Sequence, residues 1–256
     1  MKNTLDLNRL GKVIKRDASN YIHNMSLAML ILLSIPFVNW LFGWLISRNG
    51  FTGTFNRIVI ITILGIITLM IAPARLYGNC NDSRKGIGYA MLPISALEKF
   101  ISMVFYCIIV TPILYMVCAF CLDTILALIG GHYVGYAAAN VFDFFIGMYN
   151  GSIFFANISP TFLILFILMN FFFISNVFTF GNVLFTGRKT GKTFGFLVLA
   201  IITFIFVFNI IVTCYSPKLS ANDLLLLGLH SAFYAEFLAS VILLWGTYRK
   251  IKTQKY

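Results

Sequence analysis

Charge is what this sequence has least of. Only 11% of its 256 residues are Asp, Glu, Lys or Arg, and only 8 are acidic. A soluble domain carries about a quarter charged residues, so a standard soluble enzyme and a disordered chain are both excluded. Histidine is scarce as well. His23, His132 and His230 lie far apart, and none pairs with a second His or a carboxylate at zinc-site spacing. The 5 cysteines are too few for a disulfide-built module. Four of them, Cys107, Cys118, Cys121 and Cys214, lie in apolar runs, where free Cys behaves as a small hydrophobe. Cys118 and Cys121 have redox-motif spacing, but that spacing falls inside a would-be span. No G-x-S-x-G elbow surrounds Ser152, so a serine hydrolase with His230 as base finds no support.

What is abundant is apolar side chain, at 60% of the chain, with 27 Phe and 12 Tyr. That much cannot be hidden in one water-soluble core of this size. Apolar runs occupy residues 25–46, 58–77, 100–129, 161–184, 194–215 and 224–248. A helical span needs roughly 20 apolar residues. Backbone groups in lipid must be paired within the segment, so the runs predict six transmembrane helices. They do not alternate as barrel strands would. The fold class is an all-α polytopic membrane protein. The first run begins near Met25 and has no small-residue cleavage site, so it reads as a span and not a secretory signal.

The 19 Lys and Arg residues set the direction. Only Arg48, Arg57 and Lys218 fall on one side. The rest lie before the first span, in the second-to-third and fourth-to-fifth connections, and in the tail at 249–256. By the positive-inside rule both termini are cytoplasmic. The net charge of +11 is then a topology and lipid-headgroup signal, not a nucleic-acid footprint. Residues 130–160 contain no Lys or Arg and read as an outer-face loop that lies in the interface or re-enters partway.

Two cytoplasmic elements stand out. In residues 1–24, Leu7, Leu10, Ile14 and Tyr21 recur at helical spacing, with Arg9, Lys12, Lys15 and Arg16 mostly opposite. This predicts an amphipathic helix along the membrane surface. Such a helix serves as a lipid anchor, or also offers its polar face to a soluble partner. The second element is the loop 78–99. Pro93 is placed to start a short helix, followed by Ser95, Glu98 and Lys99, with Leu92, Ala96 and Phe100 as apolar surface. Capping alone explains a Ser and a Glu at such a start.

The stretch LPISALEKF, Leu92 to Phe100, follows a basic loop and leads into the third span. It resembles the permease subunits of ATP-binding-cassette exporters of type-2 architecture, in their small bacterial six-span form. The resemblance covers the topology of the whole chain, but its residue motif covers only these nine positions. It implies a multi-pass protein of the bacterial inner membrane whose first cytoplasmic loop is a coupling helix docked on a separate ATPase subunit. By position, Leu92, Pro93, Ser95, Leu97, Glu98 and Lys99 become the coupling residues, and 1–24 the connecting helix. The resemblance also implies ATP and Mg on the partner chain, and a homodimer or a heterodimer with a second permease. One departure is plain. Many larger relatives carry re-entrant outer helices between the last two spans, where this chain has only residues 216–223.

The remaining motifs are polar groups in or beside spans. GRKTGKT, Gly187 to Thr193, has three residues before its Gly-Lys pair where a phosphate loop needs four, so the chain has no nucleotide site of its own. Glu236 lies near the middle of the last span, where a carboxylate is costly and faces protein or water. It reads either as an ionisable site in a cavity or as a structural carboxyl in a helix interface. His230 and Tyr234 are its candidate neighbours. Ser175, Thr179, Asn182 and Thr186 form a polar stripe on the fourth span, lining a path or joining helices. The alternative function is an ATP-independent channel or secondary transporter built on Glu236.

Overall fold

The computed structural model describes residues 6–47, 54–81, 95–129, 160–215 and 221–253. The expected outer loop 130–160, except Pro160, and most of the loop 78–99, including Leu92 and Pro93, lie outside the described residues. Among those described there is no strand. The helices are α1 (Leu7–Ser47), α2 (Thr54–Tyr77), α3 (Ala96–Val104), α4 (Thr111–Ile129), α5 (Pro160–Leu184), α6 (Lys189–Tyr215) and α7 (Ala221–Thr253). A π-helical segment, Phe105–Val110, joins α3 to α4 in one continuous span. The described residues therefore present 6 helices long and apolar enough to cross a membrane, the architecture of a multi-pass membrane protein.

The first helix differs from the expected division at residue 24. It runs without interruption for 41 residues, about 60 Å at 1.5 Å per residue, or twice the hydrocarbon thickness. The reason is visible along its inner face. Val13, Asp17, Tyr21, Met25, Met29 and Leu32 are all buried and follow one another at steps of three or four. One stripe thus crosses the junction unbroken. That stripe packs on the bundle, whereas Leu7 and Ile22 are left exposed.

Helix α5 occupies the centre, touching α2, the π segment, α6 and most extensively α7. Gly181 permits a close approach to α6, since a Cβ there would collide with the Thr193 side chain. The turn between these helices uses left-handed backbone at Gly187 and Arg188. The core joins Tyr21, Met25 and Met29 of α1 to Leu64 and Ala72 of α2, Met103 of α3, Tyr115 of α4 and Ile251 near the end of α7. The start of α1 and the end of α7 therefore lie at the same end of the bundle, called basal below, each packed on α3. Leu199, Ile202 and Phe206 of α6 and Leu238 and Ile242 of α7 are exposed, as side chains facing lipid would be.

Candidate functional site

The basal end is organised by two buried carboxylates. Ser95 caps α3 in extended conformation, and its hydroxyl accepts from the Glu98 backbone N–H at 3.2 Å. The Ser95 N–H donates to Glu98 Oε2 at 2.8 Å, which completes a capping box. The other oxygen, Oε1, accepts from the Asp6 N–H at 3.0 Å and faces the Arg9 guanidinium at 3.4 Å. Asp6 itself starts α1, its side chain accepting from the Asn8 N–H at 2.9 Å. One carboxylate thus sits at two helix N-termini, where backbone dipoles favour negative charge. Glu98 is 0% exposed, so its charge is satisfied within the chain.

Asp17, 4% exposed, makes the second junction. Its Oδ2 accepts from the Tyr77 hydroxyl at 2.9 Å and the Ser102 hydroxyl at 2.6 Å. Its Oδ1 accepts from Arg16 Nε at 3.1 Å and Nη2 at 2.8 Å. The Tyr106 hydroxyl then donates to the Ile14 carbonyl at 2.7 Å. Glu98, Ser102 and Tyr106 fall one turn apart and all grip α1. The Lys189 ammonium donates to the Gly78 carbonyl, tying α6 to the end of α2. Burial pushes the nearby Cys80 thiol up to about 12, against the smaller opposing pull of Lys189 and Lys99.

The expected coupling residues thus divide. Ser95 and Glu98 are buried in the joint between α1 and α3, whereas Leu97 and Lys99 are half-buried and reach the surface. Asp17, Tyr77, Ser102 and Tyr106 were not singled out from sequence. The spacing 98–102–106 was the available signal.

The fourth-span stripe also divides. Ser175, Thr179 and Asn182 are buried, but Thr186 is exposed. Ser175 donates to the Cys107 carbonyl in the π segment at 2.9 Å, and Thr179 to the Ser175 carbonyl at 2.7 Å. The widened turn is also bridged by Thr111, whose hydroxyl donates to the Tyr106 carbonyl at 2.7 Å. Asn182 has neither amide atom hydrogen-bonded, and neither has Asn176, which sequence reading passed over. Glu236 is half-buried, with Oε2 buried and unpartnered. His230 stacks on Phe162 at 4.4 Å between ring centres, and Tyr234 is exposed. Among the described residues no three His, Cys, Asp or Glu side chains converge on a metal site. Comparison with family models, curated proteins and solved structures finds no match.

Proposed function

We propose that the chain is the transmembrane permease subunit of an ATP-binding-cassette exporter of type-2 architecture. In this reading it sits in a bacterial inner membrane with both termini cytoplasmic. It pairs with a second permease, identical or related, and draws on ATP and Mg held by a separate ATPase subunit. The chain itself is not an enzyme and carries no cofactor. The sequence LPISALEKF supports this reading. The observation that carries it is the start of α3, bonded to α1 through Glu98 and to both α1 and α2 through Ser102 and Asp17. A displacement applied there reaches three spans at once. A partner can shift a conformational equilibrium only through contacts that differ between its states. In this reading those contacts fall on the surface residues Leu97 and Lys99 together with Leu92 and Pro93. Ser95 and Glu98 pass the motion inward.

The test is purification of the tagged chain from its native membrane. An ATPase subunit is expected to co-purify, and Lys99→Glu is expected to weaken that association while leaving the thermal midpoint unchanged. Glu98→Arg places a cation beside Arg9 in a closed site, and so tests the joint more than the docking. Active transport by the chain alone, in vesicles holding no nucleotide hydrolase, would refute the proposal. That result would favour the second reading, an ion-coupled transporter or channel, which the unpartnered Glu236 oxygen supports.

A further inference from the structure

Hydroxyls in these helices nearly all resolve themselves in the same way. Thr68, Thr124, Thr179 and Thr247 each donate to the carbonyl four residues earlier, and Ser231 to the carbonyl three earlier. Asn170 likewise donates to the Phe166 carbonyl at 2.8 Å. Ser240 and Asn176 do neither. Each is 1% exposed. The Ser240 hydroxyl, both amide atoms of Asn176 and Glu236 Oε2 are buried without a hydrogen-bond partner.

These three residues belong to one seam. Helices α5 and α7 run parallel, because Phe162 stacks on His230 and lies 5.6 Å from Phe233 at one end. At the other end a Cβ on Gly246 would meet the Phe180 ring at 2.9 Å. From Phe162 to Phe180, steps of four and three pass through Phe166, Met169, Phe173 and Asn176. From Phe233, steps of three and four pass through Glu236, Ser240 and Leu243. Spacing of that kind keeps residues on the shared face of two packed helices. Asn176 and Ser240 therefore occupy the same stretch of the seam, with Glu236 one turn beyond Ser240.

Buried polar atoms that have an easy local remedy and do not take it require an explanation. At an apolar helix seam away from water the cost of leaving them unpaired is larger still. We propose that this part of the α5–α7 seam is the closed state of a polar binding site. When the two helices part, Asn176, Ser240 and Glu236 line it. The site takes an uncharged hydrogen-bonding group: water, or the hydroxyl or amide of a solute. Asn176 offers that guest a donor and an acceptor together, and Ser240 adds a hydroxyl. The closed seam is then held at a deficit of hydrogen bonds that the open one recovers, which keeps the two states close in energy. This proposal does not rest on an ATPase partner, and it survives if that reading fails.

The test uses the full chain in membrane vesicles, with Ser240→Cys and Asn176→Cys made separately and modified peptides mapped by mass spectrometry. A methanethiosulfonate reagent is attacked by the thiolate, which expels methanesulfinate to form a mixed disulfide and which forms in water and not in hydrocarbon. Both engineered cysteines are expected to react about tenfold faster than Leu238→Cys, which faces outward from the same helix. Lys252→Cys serves as the reactive control. A second arm adds acetamide or glycerol to the bath. Slower modification identifies a solute as the guest, and an unchanged rate identifies water; both outcomes support the site. If Ser240→Cys and Asn176→Cys are no faster than Leu238→Cys while Lys252→Cys reacts, the seam stays dry and the proposal is wrong. Ser240→Ala gives a check that does not depend on an introduced thiol. If it raises the thermal midpoint, the hydroxyl is unmet in the closed state as described. A lowered midpoint shows that Ser240 has a partner within the chain, and overturns the premise.

Discussion

Glu98 holds the starts of two helices with one carboxylate. Glu98→Ala leaves the Asp6 and Ser95 N–H groups without their acceptor and removes Arg9's buried counter-charge. The expected loss is about 2–3 kcal/mol, read from thermal unfolding of the purified chain, with Glu98→Gln losing less because one carbonyl acceptor remains. Asp17→Ala removes the acceptor shared by the Tyr77 and Ser102 hydroxyls and the carboxylate facing Arg16, and is expected to cost about as much. An unchanged midpoint in either variant would show that the carboxylate has no structural role. Cys80 gives a chemical readout of the same region. Burial raises its thiol from 9.0 to about 12, so at pH 8 the folded chain withholds the thiolate that alkylation needs. Iodoacetamide should leave Cys80 unmodified until the chain is denatured. Rapid labelling of the native protein would contradict the packing of the segment 78–81.

At the scale of elements, hydropathy and periodicity sufficed to find the spans, because a membrane helix announces itself locally. They did not locate the π segment. A π turn forms where outside groups take the displaced carbonyls, here Ser175 on the Cys107 oxygen and Thr111 on the Tyr106 oxygen. Ser175→Ala is expected to cost about 1 kcal/mol and to increase amide exchange around Cys107; no change in exchange would mean that the turn is held by other contacts. Nor did the sequence reveal that α1 continues through residue 24. The basic and apolar residues of 7–24 suit a membrane surface as well as they suit a bundle, and only Tyr77, Ser102 and Tyr106 decide for the bundle. Gly181 was unremarkable in sequence, yet it sets how closely α5 meets α6. Gly181→Ala drives a methyl into Thr193 and is expected to destabilise the pair by about 1–3 kcal/mol. A midpoint equal to that of the parent would mean that Thr193 turns aside freely.

At the scale of the whole molecule, the start of α1 and the end of α7 lie at the same end of the bundle, both packed on α3, through the Asp6 N–H on Glu98 and through Phe100 against Tyr248 at 5.6 Å. Reporter fusions at residues 1 and 256 are therefore expected on one side of the membrane, and the basic residues predict that side to be the cytoplasm. Fusions on opposite sides would break the six-span topology.

The residues alone predicted six apolar spans and, through the placement of Lys and Arg, an orientation, and the described residues hold 6 helices long and apolar enough to cross a membrane. Those properties are sums over short stretches, and no distant contact can reverse them. Which carboxylate meets which helix was decided by tertiary structure. Glu98 reaches a backbone N–H 92 residues away, and Ser102 an acid 85 residues away. A buried polar group is satisfied or stranded only by its neighbours in space. Spacing along the chain placed Ser95 and Glu98 together, but only the packed bundle could separate them from Asn176 and Ser240, whose polar atoms remain unmet.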